Sequence, residues 1–214
     1  MAPRRERTGG PWRLLSFPGV YSRLQNRLAV RGARAEIAAR YIRARPGDTV
    51  LDIGCGPADI LDYLPPVIYV GADLNASYLA AARQRFRDVQ PRARFVEMDV
   101  RGLSKEWGSA FDLVLAQGLL HHFRDDQALE LLRTAATMMK PAGRLITVDP
   151  AFTPEQGVIA RLLIANDRGR FVRSPEGYGD LARQAFSRVD LHIRHDLLRL
   201  PYTHLIMECS TAVA

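Results

Sequence analysis

Lysine is nearly absent from this chain, since 28 of its 30 basic residues are arginine. That imbalance reads as a coding bias toward arginine. Cysteine is scarce too. Cys55 sits in a glycine turn and Cys209 in a terminal apolar run, far apart in sequence. A disulfide is therefore not expected, and a reducing cytoplasm is the default compartment. Although 47% of the residues are apolar, no window approaches the roughly eighteen apolar residues of a membrane span. The opening Met1-Ala2-Pro3-Arg4-Arg5 is not followed by a long apolar run and a small-residue cleavage site, so no signal peptide is expected. Internal repeats and low-complexity segments are also missing. What remains is a chain of 214 residues, long enough for one domain with a full core.

The net charge of +7 is local. Residues 1–45 hold eleven Arg against Glu6 and Glu36, a net +9, and the rest carries 19 basic and 21 acidic residues, a net −2. A basic arm can meet phosphate backbones or anionic membranes, but the plainer expectation is a solvated tail. Residues 1–18, with Gly9-Gly10-Pro11 among many charges, are expected to be a disordered basic arm. Residues 19–214 are expected to form a single domain.

Helical spacing runs from Val20 to about Arg45, with Val20, Leu24 and Leu28 in one stripe, Ile37, Tyr41 and Ile42 continuing it, and a weak point at Gly32. Strand and helix patterns then alternate. Strands are expected at 49–53, 68–72, 93–98, 111–116 and 144–148. Helices are expected near 59–64, at 76–87 behind an Asn75 N-cap, and at 125–139, the last closed by Lys140-Pro141-Ala142-Gly143. Such alternation means a parallel sheet covered on both faces. Two more helices are expected at 154–168 and 175–186, then strands at 189–194 and 202–209. The link between those strands is too short for a crossover helix, so they should be antiparallel.

Function concentrates in Val50-Leu51-Asp52-Ile53-Gly54-Cys55-Gly56-Pro57-Ala58. A buried strand ends in an acidic residue and a turn whose glycines let backbone approach a ligand closely. Seventeen residues after Gly56 stands Asp73, ending the second apolar run, and Asp99 ends the third. A glycine turn with a carboxylate one strand over is the geometry that holds a ribose-bearing cofactor.

Taken in order, these segments resemble the class I S-adenosylmethionine-dependent methyltransferases. Leu51-Asp52-Ile53-Gly54-Cys55-Gly56 resembles that family's glycine motif, and Gly71-Ala72-Asp73-Leu74 its ribose-binding strand end. Met98-Asp99-Val100 resembles the adenine-contacting strand end. Phe111–Ala116 followed by Leu120-His121-His122-Phe123 resembles the fourth-strand motif, and Met139–Leu145 the turn before strand five. Ala58 stands where many members have a third glycine, and Ala142 replaces another. The resemblance implies an α/β, Rossmann-like three-layer sandwich. Its seven-stranded, mostly parallel sheet would have the order 3-2-1-4-5-7-6 and an antiparallel last strand. S-adenosylmethionine would be the cofactor and S-adenosylhomocysteine the product. Gly54, Cys55 and Gly56 would pack against the amino-acid part of the donor. Asp52 would orient that turn or meet the ammonium group. Asp73, with Leu74 beside it, would accept from the ribose hydroxyls. Asp99 and the Val100 amide would meet adenine, and Gln117 would lie near the sulfonium.

Methyl transfer from a sulfonium mainly needs alignment and desolvation, and a hydroxyl acceptor also needs a base. In an open α/β sheet the ligand lies beyond the carboxyl ends of the strands. His121, His122, His195 and His204 should all reach that rim, with Asp149 and Tyr202 nearby. His121 is the expected base, with His122 and His195 as alternatives. His121, His122, Asp125 and Asp126 are adjacent residues at a helix start and are not expected to form a metal site. Residues 151–173 form an insertion expected to cover the substrate; the plainer expectation for its Arg161, Arg168, Arg170 and Arg173 is a solvated helix face, and the sharper one is a grip on an anionic small molecule. The helix containing Val20 and Tyr21 is expected either to fold over the cofactor as a lid, with Tyr21 facing the site, or to pack against the sheet edge. The expected partner is a small-molecule acceptor methylated at oxygen or nitrogen, with no membrane and no nucleic acid. The lesser alternatives are an RNA methyltransferase guided by the basic arm, a nicotinamide-dependent dehydrogenase, and a cofactor-binding subunit without catalysis.

Overall fold

Seven strands lie in one sheet in the computed structural model, which describes residues 29–88, 92–99, 102, 107–167 and 169–211. They are β1 (Thr49–Ile53), β2 (Ile68–Asp73), β3 (Ala93–Glu97), β4 (Phe111–Gln117), β5 (Met139–Pro150), β6 (Arg188–Arg194) and β7 (His204–Ser210). Their order is β3-β2-β1-β4-β5-β7-β6. β1 runs parallel to β2 and β4, β2 to β3, and β4 to β5. β7 is antiparallel to both β5 and β6. The expected order and the antiparallel last strand are therefore both present.

Side-chain alternation along the strands builds two apolar layers. Leu51 and Ile53 of β1 face helices α3 (Asp125–Met138) and α5 (Pro175–Ala182), meeting Leu131, Ala135 and Tyr178. Val50 faces the opposite layer, which holds Ile37 of α1 (Ala33–Ile37) and Leu79 and Phe86 of α2 (Ala76–Phe86). Each fully buried leucine in these layers contributes roughly 1.5–3 kcal/mol. The central strands are largely apolar on both faces for this reason, and Asp52 and Asp73 are buried polar exceptions on the Val50 side.

Local signals set most boundaries. The Asn75 side chain accepts from the Ser77 and Tyr78 amides at 3.0 and 3.3 Å and caps α2. Ser174 accepts from the Gly177 amide at 3.2 Å, with Pro175 in the first turn of α5. Other boundaries differ from the sequence reading. β5 begins at Met139, not at 144, because Met139 already pairs with Phe111 before a register shift. The Lys140–Gly143 turn is thus an irregularity inside the strand, which turn residues disguise. The first described helix begins only at Ala33, because Gly32 adopts φ 87°, and it continues as a wider turn over Ala38–Ile42. Just ahead of it, Ala29 forms a bridge with Leu198. The helix expected at 154–168 is α4 (Val158–Ala165), preceded by a turn in which the Gln156 amide donates to the Thr153 carbonyl. The arm, Val20 and Tyr21 lie outside the described residues. Among the described residues, no helix is long and apolar enough to cross a membrane.

Candidate active site

The turn after β1 is tied to the tip of β2 by three hydrogen bonds, and a fourth braces Asp73 from its own side. The Gly54 and Cys55 amides donate to the Ala72 carbonyl at 2.7 and 3.1 Å. The Gly56 amide donates to Asp73 Oδ2 at 2.9 Å, and the Asn75 amide to Asp73 Oδ1 at 2.8 Å. Gly54 and Gly56 adopt φ of 71° and 54°, a region that side-chain-bearing residues enter at a cost. A Cβ on Gly56 would meet nothing within 4 Å, so the turn has open space beside it. Ala58, where the resemblance expects glycine, also takes a left-handed conformation, with φ 57°. Below the turn, a Cβ on Gly71 would lie 2.9 Å from Cys55 Sγ, Phe95 Cδ1 and Tyr69 Cε1. Gly71 is thus required by close packing, not by backbone angle.

Asp52 lies buried beneath this turn and accepts from the Tyr69 hydroxyl at 2.6 Å. Burial raises its carboxyl most, the Tyr69 hydrogen bond partly offsets this, and the Asp73 charge adds to the rise, to a pKa of about 7. Asp52 therefore gives up its proton near neutrality, and a cation placed beside it would stabilise the ionised form. The Tyr69 hydroxyl is not visible from motif spacing. It follows from the register, in which Tyr69 pairs with Val50, two residues before Asp52 on the same face of β1.

The remaining expected cofactor residues fall along the same rim. The Asp73 carbonyl accepts from the Met98 amide at 3.2 Å, which brings the β3 end and Asp99 beside the tip of β2. Leu74 is 48% exposed, an apolar surface next to Asp73. Gln117 ends β4 opposite Val148 of β5. Val100 lies outside the described residues. An open glycine turn, a buried carboxylate at the β2 tip and an exposed leucine beside it fit a nucleoside-bearing donor.

A second polar cluster stands beyond β4, β5 and β7. The short turn Leu120–His122 presents His121, whose Nδ1 lies 2.7 Å from Asp149 Oδ1 and whose Nε2 lies 3.4 Å from Asp167 Oδ1. The His121 amide also donates to Asp149 Oδ1 at 3.2 Å. Burial alone would lower the ring's pKa, but hydrogen bonds and charge from the two aspartates raise it to about 9. His121 is an imidazolium at neutral pH while both carboxylates are in place. Asp167 also accepts from the Tyr202 hydroxyl and, at 3.2 Å, from the Gly169 amide. Burial would raise its carboxyl, yet His121 and Tyr202 hold it well below the usual carboxylate range. His122 packs its ring 4.2 Å from that of His121. His204 stacks on Tyr202 at 4.9 Å, and burial lowers its pKa to about 4, so it is neutral. His195 sits apart on the β6–β7 loop, with Nδ1 3.0 Å from Thr203 Oγ1.

The arginines of the insertion are differently employed. Arg173 donates to the carbonyls of Leu120, Phe171 and Phe123 at 3.3, 2.9 and 2.7 Å. It also pairs with Asp125 at 2.7 Å and covers the Tyr178 ring. Arg173 thus pins the turn that carries His121 and is not available to grip an anion. Arg161 lies over the Phe152 ring, Arg170 is exposed, and Arg168 lies outside the described residues. Sequence reasoning missed the role of Asp167. Its partner His121 is 46 positions away, and an acid among arginines reads as a surface charge.

Residues 50–143 match the family model described as a methyltransferase domain. The chain is 33% identical over 121 residues to 27-O-demethylrifamycin SV methyltransferase of Amycolatopsis mediterranei, covering 54% of this chain and 43% of that protein. It spans less than half the length of the curated relatives it matches. The fold is shared with Haemonchus contortus phosphoethanolamine N-methyltransferase 2, solved with phosphomonomethylethanolamine and S-adenosylhomocysteine. There the TM-score is 0.66 at 14% identity, over 84% of this chain and 52% of that one. The [4+2]-cyclase SpnF gives a TM-score of 0.68 at 15% identity, over 92% and 82% of the two chains.

Proposed function

We propose, from the methyltransferase-domain match over residues 50–143 and the shared fold, that the chain is a class I S-adenosylmethionine-dependent methyltransferase that takes S-adenosylmethionine as its cofactor and methylates an oxygen or nitrogen of a small molecule. A hydroxyl is the acceptor we favour. The observation that carries this reading is the His121–Asp149 pair, buried on the carboxyl rim of the same sheet whose first two strands carry the glycine turn and Asp73. When bound, the cofactor supplies a methyl group on a positively charged sulfur that leaves as a neutral thioether. Asp73 has lone pairs left after its two amide bonds and would accept from the ribose hydroxyls. Asp52 would face the ammonium group or hold the turn that does. Asp99 and the Val100 amide would meet adenine, Leu74 would flank it, and Gln117 would border the sulfonium.

On the acceptor side, Asp149 holds the proton on Nδ1 and stabilises the charged form of His121, so that once Nε2 has released its own proton it is the atom that takes the acceptor's proton. In-line displacement follows once acceptor and methyl group are aligned. His122 and His195 are second choices, because the first packs its ring against that of His121 and the second is turned to Thr203. A small, cytoplasmic acceptor suits the confined cluster and the slightly acidic body of the chain. The test is transfer of tritiated methyl from the donor to a panel of small hydroxyl- and amine-bearing compounds, repeated with His121→Gln. Loss of turnover of at least a hundredfold on a hydroxyl acceptor is expected. Unchanged turnover rejects His121 as the base.

The likeness to a [4+2]-cyclase favours one second reading, in which the donor binds and no methyl group moves. It predicts binding of S-adenosylhomocysteine by calorimetry with no labelled product from any acceptor.

A further inference from the structure

His121 is held unequally on its two sides. Asp149 belongs to β5 in the middle of the sheet and is 1% exposed. Asp167 belongs to the segment between α4 and α5, inside the expected substrate cover. That segment lies directly on the ring. The Phe171 amide donates to the His121 carbonyl at 3.0 Å, and a Cβ on Gly169 would come within 1.9 Å of His121 Cδ2. The Nδ1 side is therefore fixed by the sheet, and the Nε2 side is closed by a loop.

We propose that Asp167 is a latch, occupying at His121 Nε2 the place that the acceptor hydroxyl takes during turnover. This rests on the reading of His121 as the base. Asp167 is a positioning residue, since it touches neither donor nor acceptor in the reacting complex. Tyr202 and the Gly169 amide hold its carboxylate against the ring in the acceptor-free protein. When the acceptor enters, the carboxylate leaves with its loop. Nε2 then faces a hydroxyl instead of a second negative charge, and the imidazolium first releases its Nε2 proton to water, which frees the Nε2 lone pair to act as a base. The acceptor's proton goes to Nε2 as its oxygen forms the bond to the methyl carbon and the carbon–sulfur bond breaks. The ring afterwards releases that proton to water.

The groups facing the ring from each packed element are few. β5 contributes Asp149, and the Leu120–His122 turn contributes His122. The α4–α5 segment contributes Asp167, and the residues leading into β7 contribute Tyr202 and His204. From α5, Tyr178 faces Asp149 under the Arg173 guanidinium. Burial keeps both tyrosines protonated and His204 neutral at working pH. Removing Asp167 therefore takes away one of the two charges that hold the His121 proton.

The experiment is a proton titration of the full chain with 13C-labelled histidine rings, saturated with S-adenosylhomocysteine. His121 is assigned by the signal missing in His121→Gln. In the wild-type chain the His121 signal should titrate near pH 9. In Asp167→Asn its midpoint should fall by about one pH unit or more, and in Tyr202→Phe by less. In Asp167→Gly, sodium formate should raise the midpoint again by filling the vacated place, and it should leave the wild-type midpoint alone. An unmoved midpoint in Asp167→Asn overturns the proposal. If Asp167→Asn does not fold, an unmoved midpoint in Tyr202→Phe does so. A lowered midpoint that formate never restores also overturns it, because the place would then be no ligand seat. Turnover by His121→Gln tests the base reading separately, so the two ideas fail independently.

Discussion

Asp73 accepts the Gly56 amide at 2.9 Å across seventeen residues of chain. One carboxylate oxygen thereby fixes the glycine turn, while the other holds the start of α2 through the Asn75 amide. The residue expected to face the ribose is also the residue that shapes the turn beside it. Asp73→Asn should weaken binding of S-adenosylhomocysteine at least tenfold, since a hydrogen bond to a charged group contributes roughly 1.5–3 kcal/mol. Isothermal calorimetry measures this, and undiminished affinity would remove Asp73 from the cofactor site.

Tyr69→Phe should destabilise the fold by about 1–3 kcal/mol, because it strips the hydrogen bond from a buried carboxyl. The loss should depend on pH. Asp52 has its folded pKa raised from 3.8 to about 7, so in the folded protein it stays protonated to higher pH than in the unfolded chain. Its contribution to stability falls as pH rises from about 4 to about 7 and is level above that. The Tyr69 hydroxyl stabilises the ionised form, so the variant should lose more at about pH 8 than at about pH 5. Thermal melts at both values check the sign, and equal losses would contradict the assignment.

The His121 clamp carries the same kind of signature. Its folded pKa of about 9 lies above the ordinary value of 6.5. The charged ring supports the acceptor-free fold fully below roughly pH 6.5, and this support is lost as pH rises through about 9. His121→Gln should flatten that part of the stability profile. A melting-temperature curve that keeps its slope in the variant would mean another group is responsible.

Arg173→Ala should cost stability, and activity through stability, without a selective rise in KM for an anionic acceptor. Three carbonyls lose a charged donor, and each such bond contributes roughly 1.5–3 kcal/mol at most. Denaturant melts should show a loss of about 2–4 kcal/mol. A variant of unchanged stability would return Arg173 to the list of anion-binding candidates.

The fold was legible because its signals are local and periodic. Continuous apolar runs marked the central strands, Asn75 marked the start of α2, and the short link between β6 and β7 required an antiparallel pair. The boundary misses share one cause, since turn residues obscured backbone pairing at Lys140–Gly143 and a positive φ at Gly32 interrupted an apolar stripe. Ala58 illustrates the reverse, since the missing glycine was visible in sequence but the left-handed angle it must bear was not.

By itself, then, the amino-acid order determined that strands and helices alternate, that glycine and Asp73 meet at the first two strand tips, and that histidines gather at one rim. Each of these depends on neighbours in the chain or on the period of a strand. Only the tertiary structure decided that Tyr69 bonds Asp52, that Arg173 is a pin, and that His121 stands between Asp149 and Asp167. Those contacts join residues on separate strands and loops, where charge, burial and distance count and spacing along the chain carries no record of them.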